Sequence, residues 1–237
     1  MLGWRGAFAY ISPSTIELPW ELQDMLPDGV KVIATVLGVR AHSDAEFERA
    51  QQQAQAAVEA MVSEGAQAVI LGGVPFAARQ GYARERALHA AWSERLGTPV
   101  ISSVAAAVAA LEHLRARRPI VATAYLESLN RSVQSYLEEA GLEVAGIEGL
   151  AVRTPAEASR IEPTAFYELA RRLAIAHPEA DSIFLGVRGN LYPVAVQLEQ
   201  DLGLPVVYGT QSGLWWALRQ LRIWDDDLEE YGRLFSP

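Results

Sequence analysis

The sequence predicts an α/β fold of two doubly wound parallel-sheet lobes that are related by a pseudo-twofold axis and separated by an interlobe cleft. Three observations along the 237 residues predict this fold. Short apolar runs alternate with amphipathic stretches, glycines follow several of the apolar runs, and one strand–glycine–helix pattern occurs twice. Such alternation is typical of parallel sheets that helices cover on both faces.

The elements follow from apolar periodicity and from helix start and stop signals. The segments GAFAYI and VKVIATV predict the first two strands, and an aspartate at its start and Gly65 just past its end delimit the first long helix. The predicted strands are 6–11, 30–36, 68–71, 99–101, 120–122, 143–146, 182–185 and 205–208. The predicted helices are 44–64, 83–96, 105–116, 129–140, 163–176, 194–202 and 213–221. The acidic run at 225–227 predicts a solvated helix start rather than a metal site.

An internal repeat indicates how these elements are divided. The segments AVILGG and SIFLGV, at 68–73 and 182–187, are each followed by a helix and then by a Leu-Gly-X-Pro-Val element. This shared order favours a duplicated lobe, although any α/β protein reuses strand–glycine–helix units. The predicted first lobe contains residues 1–100 and 206–237, and the predicted second lobe contains residues 101–205.

The repeat also predicts a binding cleft. The loops after Leu71 and Leu185 would lie at the carboxyl ends of parallel strands, where open α/β sheets bind ligands. Gly73 and Val187 would then face each other across the cleft. The loop LGVRGNL at 185–191 is predicted to form one side of it, with Arg188 binding a carboxylate through its planar, permanently charged guanidinium.

Composition excludes several classes of function. The net charge of −9 argues against a nucleic-acid partner, because the field of the protein repels polyphosphates. The absence of cysteine excludes disulfides, thiolate metal sites and thiol catalysis, and the four histidines show no ligand spacing. We therefore expect no metal and no cofactor. A dinucleotide-binding turn is excluded because no strand is followed by three spaced glycines, and Pro75 stands where phosphate-binding amides are needed.

The N-terminal residues show no signal-peptide layout, and no apolar run is long enough to span a bilayer. We therefore expect a cytoplasmic protein without a membrane partner.

Two stretches of the chain resemble a known family. They are RRPIVATAY at 117–125 followed by Asn130, and the region 182–219 with its GLPVV and GLW elements. They resemble the aspartate/glutamate racemase superfamily, in particular its branch of arylmalonate decarboxylase and maleate cis-trans isomerase. The resemblance covers nearly the whole chain and implies a two-lobed fold, a small carboxylate ligand and a homodimer.

The resemblance also shows what this chain lacks. It implies that the catalytic cysteines of the branch would fall at Gly73 and Val187, neither of which can move a proton. The hydroxyl-rich oxyanion pocket of the decarboxylase would map to Val74 and Pro75, and the early Pro-Ser-Ser-Asn motif of the isomerase is replaced here by PSTI at 13–16. Loss of such donors weakens stabilisation of a developing enediolate by several kcal/mol each.

Five residues are candidates for binding the ligand: Ser14, Tyr125, Asn130, Arg188 and Thr210. For three of them a structural role is the alternative. Tyr125 can cap a strand end, Asn130 can cap the helix that follows, and Arg188 can point to solvent. Glu17 is placed to act as a general base only if it is buried, and a solvated carboxylate is favoured there. The catalytic residue is unknown from the sequence.

Two functions stay open at this point. The first is a cofactor-independent isomerase or lyase that acts on a small carboxylate through groups other than cysteine. The second is a catalytically inactive small-ligand-binding or regulatory homologue, a pseudoenzyme. An enzyme requires a titratable group within hydrogen-bond reach of the ligand, whereas a binding protein needs only donors and shape. A homodimer is also expected because the helices carry more large apolar side chains than the core of a single chain needs. These side chains are Trp92, Trp215 and Trp216.

Overall fold

The chain forms two four-stranded parallel sheets whose faces are packed against helices. The computed structural model describes residues 3–14, 20–41, 43–187 and 189–236. The strands are β1 Gly6–Ser12, β2 Val30–Val36, β3 Val69–Leu71, β4 Val100–Ser102, β5 Pro119–Tyr125, β6 Gly146–Val152, β7 Ser182–Gly186 and β8 Val206–Tyr208. Their order is β2-β1-β3-β4 in one sheet and β6-β5-β7-β8 in the other.

Helices connect the strands, and two short 3₁₀ helices, Asp226–Tyr231 and Arg233–Phe235, end the described chain. The helices are α1 Trp20–Asp24, α2 Asp44–Ser63, α3 Val74–Ala78, α4 Tyr82–Leu96, α5 Ser103–His113, α6 Glu127–Glu139, α7 Pro155–Ala158, α8 Pro163–Ala176, α9 Tyr192–Leu202 and α10 Gly209–Leu221. Within the part of the chain that the structure describes, every helix falls short of the length and apolarity that a bilayer crossing requires.

The two sheets confirm the predicted fold class and the duplication. Strands β3 and β7, which carry the repeated segments, occupy the same third place in their sheets. Both are buried along their whole length because other strands flank them on both sides. This burial explains why both read as uninterrupted apolar runs in the sequence.

Strand β6 differs from its prediction. The strand predicted at 143–146 overlaps the observed strand only at Gly146, because β6 extends from Gly146 to Val152. It lies at the edge of its sheet, and most of its residues are half-buried or exposed. An edge strand has no need for an apolar run, so periodicity does not mark it.

Strands β4 and β8 lie at the predicted lobe boundaries. Strand β4 extends to Ser102 within the first sheet, and β8 pairs with β7 in the second sheet, with Ile183 opposite Val206. The chain therefore leaves the second sheet after Tyr208. Helix α10 then packs against α5 and against β1 and β3 of the first sheet.

The tryptophans do not supply the apolar surface on which the dimer was predicted. Trp92 and Trp215 are each only 5% exposed and belong to the core of the single chain. Trp216 is half-buried beside the same core. The homodimer therefore stays a prediction from family resemblance alone.

Candidate active site

A cavity of about 70 Å³ lies between the lobes, next to the carboxyl ends of strands from both sheets. Its described lining contains no charged side chain; it consists of apolar residues, glycines and hydroxyl groups. The hydroxyl-bearing residues are Tyr10, Ser12, Ser14, Ser103, Tyr125 and Thr210. The remainder are Pro13, Val39, Phe47, Gly73, Val74, Pro75, Phe76, Pro155, Ala158, Val187 and Gly209.

Gly73 lies in the turn between β3 and α3, where the backbone adopts a conformation that glycine tolerates better than other residues. Its φ is +90°, and a Cβ atom added there would lie 2.3 Å from Cγ of Pro13. Any side chain at this position would need both a strained backbone and movement of Pro13. The loop after β3 therefore brings its backbone directly to the cavity.

Val187 occupies the corresponding place after β7. It is buried, lines the same cavity as Gly73 and contributes an apolar surface. The structure thus brings together the two positions that the repeat pairs, and each lacks the thiol that the resemblance places there.

Three of the predicted binding residues line the cavity: Ser14, Tyr125 and Thr210. Arg188 lies outside the described residues, as do Ile16 and Glu17. Asn130 is buried but is not among the lining residues.

Asn130 is linked to the backbone of Tyr125 through hydrogen bonds to Thr123. Its Oδ1 accepts a hydrogen bond of 2.5 Å from the Thr123 hydroxyl, and the Thr123 oxygen accepts one of 3.0 Å from the backbone N–H of Tyr125. The capping alternative for Asn130 is wrong, because the N-cap of α6 is Leu126. Asn130 therefore fixes the end of β5 at the cavity.

A buried carboxyl stands directly behind Thr210. Glu21, on α1, is fully buried; its Oε2 accepts hydrogen bonds from the backbone N–H of Leu191 at 2.7 Å and from the Tyr208 hydroxyl at 3.3 Å. The Thr210 hydroxyl approaches the same carboxyl. Burial raises the pKa of Glu21 to about 7, although these hydrogen bonds favour the ionised form.

Sequence reasoning missed Glu21 and Ser103. Glu21 resembles any solvated helix-start carboxylate in the sequence, and its hydrogen-bond partners Leu191 and Tyr208 lie 170 and 187 positions away. Ser103 had a usable signal, because serine at the first turn of a helix directly after a buried strand lies at the binding edge of a parallel sheet.

Comparison with known proteins identifies the lineage. A family model described as arylmalonate decarboxylase matches residues 9–235. The chain belongs to the arylmalonate decarboxylase family. The resemblance stated from the sequence is thereby confirmed, and the chain is a member of this family that has no cysteine.

Individual proteins similar in sequence to this chain include an arylmalonate decarboxylase and a maleate isomerase. Arylmalonate decarboxylase of Bordetella bronchiseptica is 27% identical over 227 residues, covering 95% of this chain and 94% of that protein. Maleate isomerase of Geobacillus stearothermophilus is 26% identical over 125 residues, or 53% of this chain and 50% of that one. These are two enzymes with different reactions, so similarity alone does not select one of them.

Solved structures give the same fold. A liganded arylmalonate decarboxylase variant, with one glycine changed to cysteine and one cysteine to serine, has a TM-score of 0.89 at 25% identity and covers 97% of this chain and 98% of its own. Maleate cis-trans isomerase of Nocardia farcinica, described with a covalently bound succinylcysteine intermediate, has a TM-score of 0.86 at 21% identity and covers 97% of each chain. Cysteine chemistry is thus described for that isomerase, whereas the present chain has no thiol.

Proposed function

We propose that this protein is a cofactor-independent isomerase or lyase that acts on a small carboxylate and moves protons through Glu21 and Thr210 instead of through cysteine. One observation carries the proposal: a fully buried carboxyl approaches a hydroxyl that lines the cavity. The names of the relatives, arylmalonate decarboxylase and maleate isomerase, support dicarboxylates as the substrate class.

Glu21 is suited to exchange protons near neutral pH. A pKa of about 7 leaves the carboxyl partly protonated there, which is the condition that favours general acid–base catalysis. In a decarboxylation, the electron pair of the C–CO₂ bond stays on the α-carbon as CO₂ departs. The Thr210 hydroxyl then gives its proton to that carbon while Glu21 passes its own proton to the Thr210 oxygen, and water reprotonates Glu21.

The same pair serves an isomerisation that inverts an α-carbon. Thr210 accepts the α-proton as it passes its own to ionised Glu21. The planar carbanion then turns its opposite face to Thr210, and the reverse transfer delivers a proton to that face, which inverts the carbon. Apolar groups such as Val74 and Val187 would exclude water from the carbanion, and exclusion of water strengthens electrostatic interactions inside a site.

Ligand contacts are proposed for Ser14, Tyr125 and Thr210 because they line the cavity. Arg188 keeps its predicted role as a carboxylate anchor, and Asn130 is proposed to position Tyr125 through Thr123.

A catalytically inactive ligand-binding protein is the second candidate. It is favoured by the cavity lining, in which the described residues include no aspartate, glutamate, histidine, lysine or arginine. In that case Glu21 would only hold the Leu191 loop in place.

Turnover in deuterated water separates the two candidates. The purified full chain is incubated with phenylmalonate, methylmalonate and 2-phenylpropionate, and NMR follows loss of substrate and incorporation of deuterium at the α-carbon. The enzyme proposal expects exchange or CO₂ release above the buffer rate. Binding by calorimetry without any exchange would support the inactive homologue and reject the enzyme.

A further inference from the structure

Ser103 places an unpaired hydroxyl at the cavity. The residue is 3% exposed, and its Oγ has no hydrogen-bond partner among the described residues. It also lines the cavity. A buried hydroxyl without a partner is costly, and its presence is explained if a ligand supplies the partner.

Two helices begin where Ser103 lies. Ser103 is the first residue of α5, and Gly209 is the first residue of α10. A Cβ atom added to Gly209 would lie 3.1 Å from the Cβ of Ser103 and 3.3 Å from its Oγ. The two helix starts therefore approach so closely that glycine is the residue that fits there without displacing Ser103.

The first N–H groups of these two helices have no side-chain cap among the described residues, apart from the one that Ser102 supplies. The N-cap of α10 is Tyr208, whose side chain makes no capping hydrogen bond. At α5 the Ser102 hydroxyl accepts a hydrogen bond of 3.1 Å from the N–H of Ala105. This cap does not involve the N–H groups of Ser103 and Val104, which precede Ala105 in the helix. The first N–H groups of a helix carry partial positive charge and bind anions.

We propose that the Ser103 hydroxyl and the first backbone N–H groups of α5 and α10 form a carboxylate subsite, which holds one carboxylate of the ligand. The inference rests on the proposed function for the cleft and deepens it by naming the group that anchors the substrate. The apolar residues Val74 and Val187 then face the nonpolar part of the ligand. Glu21, the buried carboxyl behind this lining, approaches Thr210.

Binding of matched probes tests the subsite without requiring turnover. Calorimetry measures the Kd of phenylmalonate, phenylacetate and the neutral phenylacetamide for the native chain and for Ser103→Ala. Loss of one charge-assisted hydrogen bond raises the Kd of both carboxylates about tenfold or more, and the Kd of the amide changes much less. Ser103→Asp abolishes carboxylate binding at pH 7, because it places a negative charge in the subsite.

Ser212→Ala is the matched control. Ser212 is another fully buried serine, on α10, with no hydrogen-bond partner among the described residues, but it does not line the cavity. The Kd values of this variant are expected to stay within about twofold of the native chain. Thermal unfolding verifies that each variant is folded.

Three outcomes would overturn the subsite. The first is binding of phenylmalonate by Ser103→Ala with the same Kd as the native chain. The second is equal weakening of the amide and the carboxylates, and the third is absence of carboxylate binding to the native chain. Native binding without turnover rejects the enzyme proposal and leaves the subsite standing, so the two failures are distinguishable.

Discussion

Two buried carboxyls, Glu21 and Glu85, resemble each other in chemistry and differ in what surrounds them. Both are fully buried, both accept a hydrogen bond from a tyrosine hydroxyl, and both join the first lobe to the second. Glu21 approaches Thr210 at the cavity, whereas Glu85 is enclosed by Tyr136, Ser102 and His89. Burial and a shifted pKa therefore do not by themselves make a carboxyl functional; contact with the cavity lining is what distinguishes Glu21.

Glu85 belongs to the structural connection between the lobes. Tyr136 of α6 donates its hydroxyl to Oε2 of Glu85 on α4, and Tyr82 packs edge-on against the Tyr136 ring at a centroid distance of 5.3 Å. Nearby, Glu139 of α6 accepts from the backbone N–H of Tyr82 at 2.6 Å. These contacts set the relative position of the lobes away from the cavity.

Turnover gives the largest expected difference between the two carboxyls. Glu21→Gln keeps the size of the side chain and an oxygen for the Leu191 N–H but removes the titratable carboxyl proton. We expect it to lower kcat by about 10²–10⁴-fold, the range for loss of a general acid–base group. Glu85→Gln is the matched control and should retain kcat within a few-fold. Equal losses in both variants, measured on the same substrate, would contradict the distinction.

The next largest expected effect is a loss of stability when the glycine of the loop after β3 is replaced. Gly73→Ala combines a positive φ with a contact to Pro13, so we expect a loss of about 3 kcal/mol in the free energy of unfolding. Gly38→Ala is the control for backbone strain, because Gly38 has a φ of +67° and no described atom lies within 4 Å of its Cβ position. It should lose about 1 kcal/mol. Denaturant unfolding measures the free energy of unfolding of both variants. Equal losses would show that Pro13 moves away from the new Cβ atom at no cost, and would contradict the prediction.

Replacing the tyrosine that donates to each carboxyl shows how much each hydrogen bond contributes to the free energy of unfolding. Tyr136→Phe leaves the buried Glu85 without its phenol partner, and we expect a loss of about 1–3 kcal/mol in the free energy of unfolding. Tyr208→Phe should cost less, because Glu21 Oε2 keeps its 2.7 Å hydrogen bond from Leu191 N–H. The reverse order in denaturant unfolding would be evidence against this ranking.

The pH dependence of stability gives the smallest effect when it is expressed per pH unit. The pKa of Glu21 is raised from 4.5 to about 7 in the folded protein, so the folded state retains a proton that the unfolded state releases. The stabilisation is complete below pH 4.5 and is lost as the pH rises through 7, by about 1 kcal/mol per pH unit at most. Glu21→Gln should lack this slope, so subtracting its unfolding free energies at about pH 5, 6, 7 and 8 from those of the native chain should give a difference that falls with pH. An unchanged slope would exclude Glu21 as its source.

The sequence by itself determined the architecture of this protein. Apolar runs mark β3 and β7 because both strands are buried between neighbours, and their repeated context predicts the duplicated lobe. The absence of cysteine, with glycine and valine at the two cleft positions, excludes thiol chemistry on composition alone. These properties are local or compositional, so they can be read along the chain.

Tertiary structure alone brought Glu21 and Ser103 to the site. The Glu21 contact with Leu191 joins residues 170 positions apart, and the approach of Ser103 to Gly209 joins two helix starts from distant parts of the sequence. The bounds of the edge strand β6 were not predicted for a related reason, since its pairing to β5 is set across the sheet. Periodicity records which face of an element is buried, but it carries no information on which distant backbone groups meet there, and the chemistry of this cavity depends on those meetings.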